Sequence, residues 1–299
     1  MTFVPVDDLR ERAPENRGRR RLPPWFKVRI TQGPDYQDIR QIMDSLELHT
    51  ICEEARCPNV WECWNNRTAT FLILGDICTR RCHYCAVATG RPHPVDRAEP
   101  VRVARAVQAL GLRHAVITSV NRDELEDGGA SVFADTIREI RRLTPLCAVE
   151  VLIPDFEGDE AALQAVLDEY PDILNHNIET VRRLFPSVRP QGKYERSLTL
   201  LERAKRKGAR TKSGLMVGMG ETADEVREVL RDLRRAGCEI LTIGQYLQPT
   251  NRHLPVVRFY HPDEFAAFKT EGLALGFSHV ESGPLVRSSY HAERQVNGC

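Results

Sequence analysis

The sequence predicts an α/β fold, a partial (β/α)6 TIM-like barrel that is open on one side and carries N- and C-terminal extensions. Six short apolar runs rich in β-branched residues alternate with amphipathic stretches of helical period. Such alternation is typical of parallel βα units. The 299 residues suffice for one large core, and six units are too few to close a ring of eight.

The elements follow in chain order. A helix is predicted at 35–48, from apolar residues at helical spacing. The predicted strands are 70–74, 115–119, 148–153, 173–176, 213–217 and 240–243, and the predicted barrel helices are 101–110, 132–143, 160–170, 194–207 and 223–236. We therefore divide the chain into an N-terminal extension at 1–65, a barrel at 66–275 and a C-terminal segment at 276–299.

Composition excludes several classes of function. Forty-two basic and forty-two acidic residues cancel, so we expect neither nucleic acid nor a membrane surface as a partner. No run of about 18 apolar residues occurs, and we expect a soluble, cytoplasmic protein. Six of the nine cysteines lie between positions 52 and 85. In a chain of this size and type, that crowding favours a metal centre over a disulfide framework.

One cysteine triplet, Cys78, Cys82 and Cys85, begins shortly after the first predicted strand. Active sites of parallel barrels gather at the carboxyl ends of the strands. Three thiolates at this spacing can hold three irons of a [4Fe-4S] cluster and leave the fourth iron open to a ligand. A zinc site is the alternative, but structural zinc needs four ligands, and His83 is adjacent to Cys82 and would point away.

This C-x3-C-x2-C motif after the first strand of a six-unit barrel resembles the radical S-adenosylmethionine superfamily. The resemblance implies that Cys78, Cys82 and Cys85 are catalytic cluster ligands. It also implies that S-adenosylmethionine binds the open iron and is split by one electron into methionine and a 5′-deoxyadenosyl radical. Tyr84 stands where the superfamily carries an aromatic residue near the adenine.

A second triplet narrows the resemblance. Cys52, Cys57 and Cys63 have the spacing C-x4-C-x5-C, and residues 287–290 read Arg-Ser-Ser-Tyr. Both motifs resemble the lipoyl synthase family, as do the stretches 23–25, 118–123, 127–130, 150–156, 176–180, 211–218 and 245–249. The resemblance implies a second, auxiliary [4Fe-4S] cluster held by these cysteines and Ser289, with the neighbouring Ser288 as the alternative ligand.

The implied activity is that of a sulfurtransferase of lipoate biosynthesis and protein lipoylation. Two sulfur atoms replace hydrogens at C6 and C8 of a protein-bound octanoyl-lysine, using two S-adenosylmethionine molecules and sulfide from the auxiliary cluster. The implied partners are octanoylated lipoyl-carrier domains (2-oxoacid dehydrogenase acyltransferase subunits and the glycine-cleavage carrier protein), an electron donor and an iron-sulfur carrier. We expect a monomer.

Cofactor contacts outside the cysteines are predicted by position. Polar residues at strand ends converge on the mouth of a barrel, although structural hydrogen bonds suit the same positions. The predicted S-adenosylmethionine contacts are Tyr84, Ser119, Asn121, Arg122, Glu150, Asn177 and Lys212. Two other classes of protein are alternatives. A methylthiotransferase or biotin synthase-like enzyme would lack the combined motifs, and a two-cluster electron carrier would not need the barrel.

Overall fold

A computed structural model of the chain describes residues 22–27, 33–65, 68–292 and 295. These described residues form ten strands in two sheets. The strands are β1 (His49–Thr50), β2 (Thr70–Ile73), β3 (Ile77–Cys78), β4 (Ala88–Thr89), β5 (His114–Ser119), β6 (Ala148–Leu152), β7 (Ile173–Asn175), β8 (Thr211–Val217), β9 (Ile240–Gln245) and β10 (His279–Gly283).

Helices fill most of the connections between the long strands. They are α1 (Pro34–Ser45), α2 (Ile51–Glu54), α3 (Val60–Asn65), α4 (Glu99–Ala109), α5 (Ala130–Leu143), α6 (Glu160–Leu167), α7 (Phe185–Val188), α8 (Tyr194–Arg206), α9 (Ala223–Arg235) and α10 (Pro262–Ala274), with 3-10 turns at Pro24–Phe26 and Phe156–Gly158. Within the described ranges, no helix has the length and apolar character needed to cross a membrane.

The main sheet has eight strands in the order β1-β2-β5-β6-β7-β8-β9-β10. All pairings from β2 to β10 are parallel, and β1 pairs with β2 antiparallel at one edge. The six strands predicted from the sequence are β2 and β5 to β9. Among the described residues, the two edges of the sheet are not paired with each other, so the predicted open α/β barrel is confirmed.

Two edge strands were not predicted. β10 lies within the C-terminal segment and continues the parallel sheet, with Val280 opposite Leu241 of β9. Its polar residues interrupt the apolar run that marks the other strands. The division of the chain at 65 and 275 remains a prediction, and residues 1–21, 28–32, 293–294 and 296–299 of the two extensions lie outside the described residues.

Helix α9 illustrates how the sequence builds one layer of the barrel. Thr222 and Glu225 form a reciprocal capping box at its start, which satisfies two backbone donors. Val226, Leu230 and Leu233 recur at helical spacing and are buried against the sheet. Full burial of each such side chain contributes about 1.5–3 kcal/mol. Packing of this apolar stripe fixes the helix outside the barrel and leaves the strand ends open.

Candidate active site

A cavity of about 470 Å³ lies at the carboxyl ends of the parallel strands. Residues from the ends of β5, β6, β8 and β9 form part of its wall. Five of the six predicted cluster cysteines line it together with both motif serines: Cys52, Cys57, Cys78, Cys82, Cys85, Ser288 and Ser289. Cys63 is partly buried and packs at the edge of the core. The two cysteine triplets and the distant Arg-Ser-Ser-Tyr motif therefore contribute residues to one cavity.

Backbone contacts hold the loop that carries the second triplet. The Cys78 sulfur accepts hydrogen bonds from the backbone amides of Arg80 at 3.4 Å and Asn121 at 3.3 Å. The amide of Cys85 donates to the carbonyl of Cys82 at 3.2 Å. His83 Nδ1 lies 2.6 Å from the Ser187 carbonyl oxygen, away from the cavity. The imidazole proposed as a zinc ligand in the alternative interpretation is thus engaged elsewhere.

The first triplet begins in a helix C-cap. The amide of Arg56 donates to the Glu53 carbonyl, and the amide of Cys57 donates to the Cys52 carbonyl, both at 2.9 Å. These are the two backbone bonds of a Schellman motif, in which the third-last helical residue and the second residue beyond the cap lie side by side. Arg56 has a φ of 52°, the left-handed conformation that this motif needs. The C-x4-C spacing therefore brings Cys52 and Cys57 to the same side of the turn.

Side-chain contacts join the C-terminal serines to the first triplet. Buried Asn59 donates from Nδ2 to the Leu285 carbonyl at 2.6 Å. Tyr290 donates its hydroxyl to Glu62 Oε1 at 3.0 Å, and His291 Nε2 lies 3.5 Å from the same oxygen. These contacts bring segments more than 200 residues apart to the same end of the cavity.

Burial dominates the electrostatics of the thiols. It raises the pKa of Cys52 and Cys85 to about 12 and that of Cys82 to about 11, where Arg189 acts in the opposite direction. It also raises the pKa of Cys57, against the effect of Arg287. Such thiols are protonated at neutral pH unless they bind metal, since metal-bound thiols are deprotonated outright. Removing a bound metal therefore leaves neutral thiols.

The donor set fits iron-sulfur clusters. Soft thiolates select such clusters, and each triplet leaves one cluster iron for another ligand. In the ranges that the structure describes, no three His, Cys, Asp or Glu side chains are close enough to hold a single metal ion. The protein ligands of a four-iron cluster lie farther apart than the ligands of a single metal ion. The cavity that the triplets share also has the volume of a small-molecule site.

Four of the predicted cofactor contacts line the cavity: Tyr84, Ser119, Asn121 and Asn177. Ser119 Oγ, Asn121 Oδ1 and Asn177 Oδ1 are buried and have no hydrogen-bond partner in the described part of the chain. Burial of a polar atom without a partner is costly, so these atoms suit a polar ligand in the cavity. Gly214 completes this wall, because a Cβ there would lie 2.6 Å from Asn177 Oδ1.

Arg122, also predicted to contact the cofactor, donates its hydrogen bonds to other residues of the protein instead. Its Nη1 donates to the Leu74 carbonyl at 2.9 Å, and its Nη2 donates to the His93 carbonyl at 2.8 Å. Its Nε donates to Glu124 Oε1 at 2.6 Å. The side chain is buried outside the cavity wall, where it connects three loops.

Glu150 and Lys212, the remaining predicted contacts, lie one layer below the cavity. Lys212 Nζ is 2.8 Å from Glu150 Oε1, which also accepts from Asn175 Nδ2 at 3.0 Å. His114 Nε2 lies 3.5 Å from Glu150 Oε2. Burial opposes ionisation of Glu150, but Lys212 and His114 lower its pKa to about 2. The residues two positions further along β6 and β8 reach the cavity instead.

Two cavity residues were missed by the sequence analysis. Glu179 lines the cavity, and burial raises its pKa while Arg189, Asn177 and Tyr84 act in the opposite direction. The Arg189 Nη1 donates to the Asn177 carbonyl at 3.1 Å. Glu179 follows strand β7 and has a left-handed φ of 67°, so strand alternation does not identify it. The available signal was its place in the stretch 176–180, which resembles the lipoyl synthase family. Arg189 belongs to a turn after α7 and gave no periodic signal.

Comparisons of the sequence with known proteins consistently identify one family. Residues 72–233 match the model of the radical SAM superfamily, and residues 5–57 match that of the N-terminal domain of lipoyl synthase of the radical SAM family. The lipoyl synthase of Rubrobacter xylanophilus is 64% identical over 284 residues, covering 94% of this chain and 88% of its own. That of Roseiflexus sp. is 57% identical over 299 residues, covering 99% and 97%.

Solved structures agree at the level of the fold. The FeFe-hydrogenase maturase HydG from Carboxydothermus hydrogenoformans superimposes with a TM-score of 0.56 at 15% identity, over 87% of this chain and 77% of its own. Methylornithine synthase (PylB) superimposes with a TM-score of 0.52 at 12% identity, over 94% and 83%. At these identities, the similarity concerns the backbone architecture alone.

Proposed function

Because this chain belongs to the lipoyl synthase family of the radical S-adenosylmethionine superfamily, we propose that it inserts two sulfur atoms into a protein-bound octanoyl-lysine. The sulfurs replace hydrogens at C6 and C8 and give the lipoyl group. The observation that carries this proposal is the shared cavity, which is lined by cysteines of both triplets and by Ser288 and Ser289. Sulfur insertion needs a site of hydrogen removal and a sulfur source within reach of one acyl chain.

The cofactors are two [4Fe-4S] clusters and S-adenosylmethionine. When bound, they supply a carbon radical strong enough to remove an unactivated hydrogen and the sulfide that takes its place. In this proposal Cys78, Cys82 and Cys85 hold the cluster that binds S-adenosylmethionine. The other cluster is assigned to Cys52, Cys57, Cys63 and Ser289.

The cavity wall suits both the cofactor and the acyl chain. The polar atoms without partners on Ser119, Asn121 and Asn177 offer hydrogen bonds to the amino acid and ribose groups of S-adenosylmethionine. Apolar side chains elsewhere in the wall, including Val87 and Leu247, favour a hydrocarbon chain. Hydrogens at C6 and C8 have no neighbouring group that acidifies them, so acid-base residues are not needed at the reacting carbons.

Ser289 is assigned as the fourth auxiliary ligand, and Ser288 is the alternative. A hydroxyl oxygen is a harder donor than a thiolate and suits cluster iron less well. Such a ligand leaves an iron that is easily released, as sacrifice of the cluster for its sulfide requires. The contacts of Asn59 and Glu62 with the C-terminal segment support this assignment, because they bring both serines to the cavity beside Cys57.

The acyl acceptor follows from the same reaction. We assign octanoylated lipoyl-carrier domains as substrates, namely the acyltransferase subunits of 2-oxoacid dehydrogenases and the glycine-cleavage carrier protein. An electron donor and an iron-sulfur carrier that restores the consumed cluster complete the partners. The carrier domain must leave after each turnover, which favours a small, transient interface and a monomeric enzyme.

The proposal is tested by anaerobic reconstitution followed by turnover on an octanoylated carrier domain. We expect an iron and sulfide count of two clusters per chain, and two molecules of 5′-deoxyadenosine for each lipoyl group. Ser289→Ala should still form 5′-deoxyadenosine and should lose the lipoyl product, whereas the matched variant Ser288→Ala should keep both.

Each result bears on a separate part of the proposal. A fully loaded wild-type protein that does not cleave S-adenosylmethionine would remove the proposed function. Full product from Ser289→Ala with an intact auxiliary cluster would remove the ligand role of that serine and leave the function standing. Loss of product in Ser288→Ala alone would transfer the role to the neighbouring serine.

A further inference from the structure

Arg80 lies between two cysteines of the second triplet, and its side chain is only 1% exposed. Its Nε donates to Asp123 Oδ2 at 2.7 Å, and its Nη2 donates to Asp123 Oδ1 at 2.8 Å. Nη2 also lies 2.7 Å from Asp155 Oδ1. Two carboxylates from the loops after β5 and β6 thus fix the guanidinium plane.

This ion-pair network is buried at a cost. Asp155 is 0% exposed, and Arg196 Nη1 contacts its second oxygen at 3.2 Å. Two cations and two carboxylates therefore balance. Buried ion pairs gain little net stability, because the loss of hydration offsets the attraction between the charges. Stability alone is therefore a weak reason for a charged network next to the cluster cysteines.

One nitrogen of Arg80 has no partner in the described residues. Nη1 is buried and donates to neither carboxylate, and Arg80 is part of the cavity wall together with Cys78 and Cys82. An arginine donor without an acceptor is costly in such a place. A group bound in this part of the cavity must therefore supply the hydrogen-bond acceptor for Nη1. Because the donor is cationic, an anionic acceptor is favoured.

We propose that Arg80 sets the reduction potential of the cluster held by Cys78, Cys82 and Cys85, by donating Nη1-H to a sulfur of that cluster. The assignment rests on the proposed function. Hydrogen bonds to cluster sulfurs and nearby positive charge favour the reduced, more negative state and raise the potential. Asp123 and Asp155 act as positioning residues that hold the guanidinium in place and limit its effective charge.

Removing a cation and removing an anion from this network should shift the reduction potential of the cluster in opposite directions. Arg80→Gln removes a cation and a donor, so the cluster becomes harder to reduce. Asp123→Asn removes a partly exposed anion and leaves the arginine, so the cluster becomes easier to reduce. A purely structural network would change the potential in the same direction in both variants. Arg80→Lys keeps the charge and should restore part of the potential.

The adjacent Arg81 supplies a matched control in the same loop. Its side chain is exposed and lies outside the cavity wall, and its backbone amide, which donates to Gln191 Oε1 at 2.8 Å, survives substitution. Arg81→Gln removes the same charge from the same stretch of sequence. It should leave the potential of the cluster unchanged.

The experiment is EPR-monitored redox titration of the fully loaded protein, following the cluster whose signal changes when S-adenosylmethionine is added. At a fixed applied potential without S-adenosylmethionine, Arg80→Gln should lower the ratio of reduced to oxidised cluster about tenfold, or about 59 mV for one electron. Asp123→Asn should raise this ratio. Iron content and unfolding transitions of each variant check that the cluster and the fold are retained.

Three outcomes would overturn the inference. Unchanged potentials in Arg80→Gln and Asp123→Asn would remove it, while S-adenosylmethionine cleavage by the wild type would leave the proposed function intact. A shift seen only after S-adenosylmethionine is added would assign Nη1 to the carboxylate of that ligand instead. A wild-type protein without any cluster that responds to S-adenosylmethionine would remove both the inference and the proposed function.

Discussion

Replacing Lys212 with methionine should destabilise the fold by about 3 kcal/mol. Lys212 and Glu150 are fully buried and lie 2.8 Å apart, so the substitution leaves a carboxylate without its cation. Breaking a buried pair in this way costs about 3–5 kcal/mol. The pKa of Glu150 gives a similar figure: it is lowered from 4.5 to about 2. Each unit corresponds to about 1.4 kcal/mol, so the ionised form contributes about 3 kcal/mol.

A second lysine provides the control. Lys205 Nζ is also 2.8 Å from a glutamate oxygen, that of Glu239, but the two side chains are 42% and 29% exposed. Exposed pairs contribute at most about 1 kcal/mol. Urea unfolding at pH 7 of cluster-free Lys212→Met and Lys205→Met should therefore give clearly different losses. Equal losses in the two variants would refute the argument from burial.

The contribution of ionised Glu150 to the free energy of unfolding should decrease as the pH falls. The folded pKa of Glu150 lies below its unfolded value of 4.5, so its contribution is complete above that pH and is lost as the pH falls towards 2. Glu150→Gln should flatten the stability curve in this window. In Lys212→Met the carboxyl is easier to protonate, and the deficit relative to wild type should shrink as the pH falls.

The same variants separate a structural role from cofactor binding. Glu150 and Lys212 were predicted to contact S-adenosylmethionine, yet neither lines the cavity. Folded Glu150→Gln should bind S-adenosylmethionine as the wild type does in equilibrium dialysis of the reconstituted protein. A tenfold weaker affinity, about 1.4 kcal/mol, with an unchanged free energy of unfolding would demonstrate direct contact and contradict the placement.

Other substitutions test the cavity wall and its attachments. Gly214→Ala should weaken S-adenosylmethionine binding at least about tenfold, because its Cβ would crowd a wall amide, whereas Gly90→Ala, with only an ordinary contact at 3.5 Å, should not. Arg56→Gly should raise the free energy of unfolding by up to about 1 kcal/mol, since glycine adopts its left-handed backbone without strain. Asn59→Ala should cost about 1–3 kcal/mol and expose the segment around Leu285 to proteolysis, because that carbonyl loses its donor.

The barrel could be predicted because parallel strands are buried on both faces and appear as continuous apolar runs. Strands β2, β5, β6 and β9 are examples, with almost every residue buried. Strand β10 has the same parallel partner but carries His279, Glu281 and Ser282 at half-exposed positions. An edge strand packs against one neighbour only, so its sequence can remain polar and gives no run to detect.

The depth of a side chain inside the barrel could not be predicted. Residues two apart in a strand share a face, so Glu150 and Leu152 both point into the barrel interior. Only the three-dimensional position of the cavity decides that Leu152 lines it and Glu150 lies beneath. Arg122 illustrates a different limit, because its donors are used by carbonyls from loops whose paths follow from the completed fold. Chemistry of a residue type identifies candidates, and packing decides which of them reach the ligand.

The two proposed clusters differ in how many of their protein ligands are close together in the sequence. Cys78 ends strand β3 and Cys82 and Cys85 follow in the next loop, so an insertion elsewhere in the chain would leave their spacing intact. The Schellman turn makes Cys52 and Cys57 equally local, since one inserted residue would break both of its backbone bonds. The assigned serine comes from the other end of the chain and is brought near by contacts of a few side chains. The position of the serine assigned above therefore depends on packing of the C-terminal segment, whereas the positions of Cys52 and Cys57 depend on a local turn.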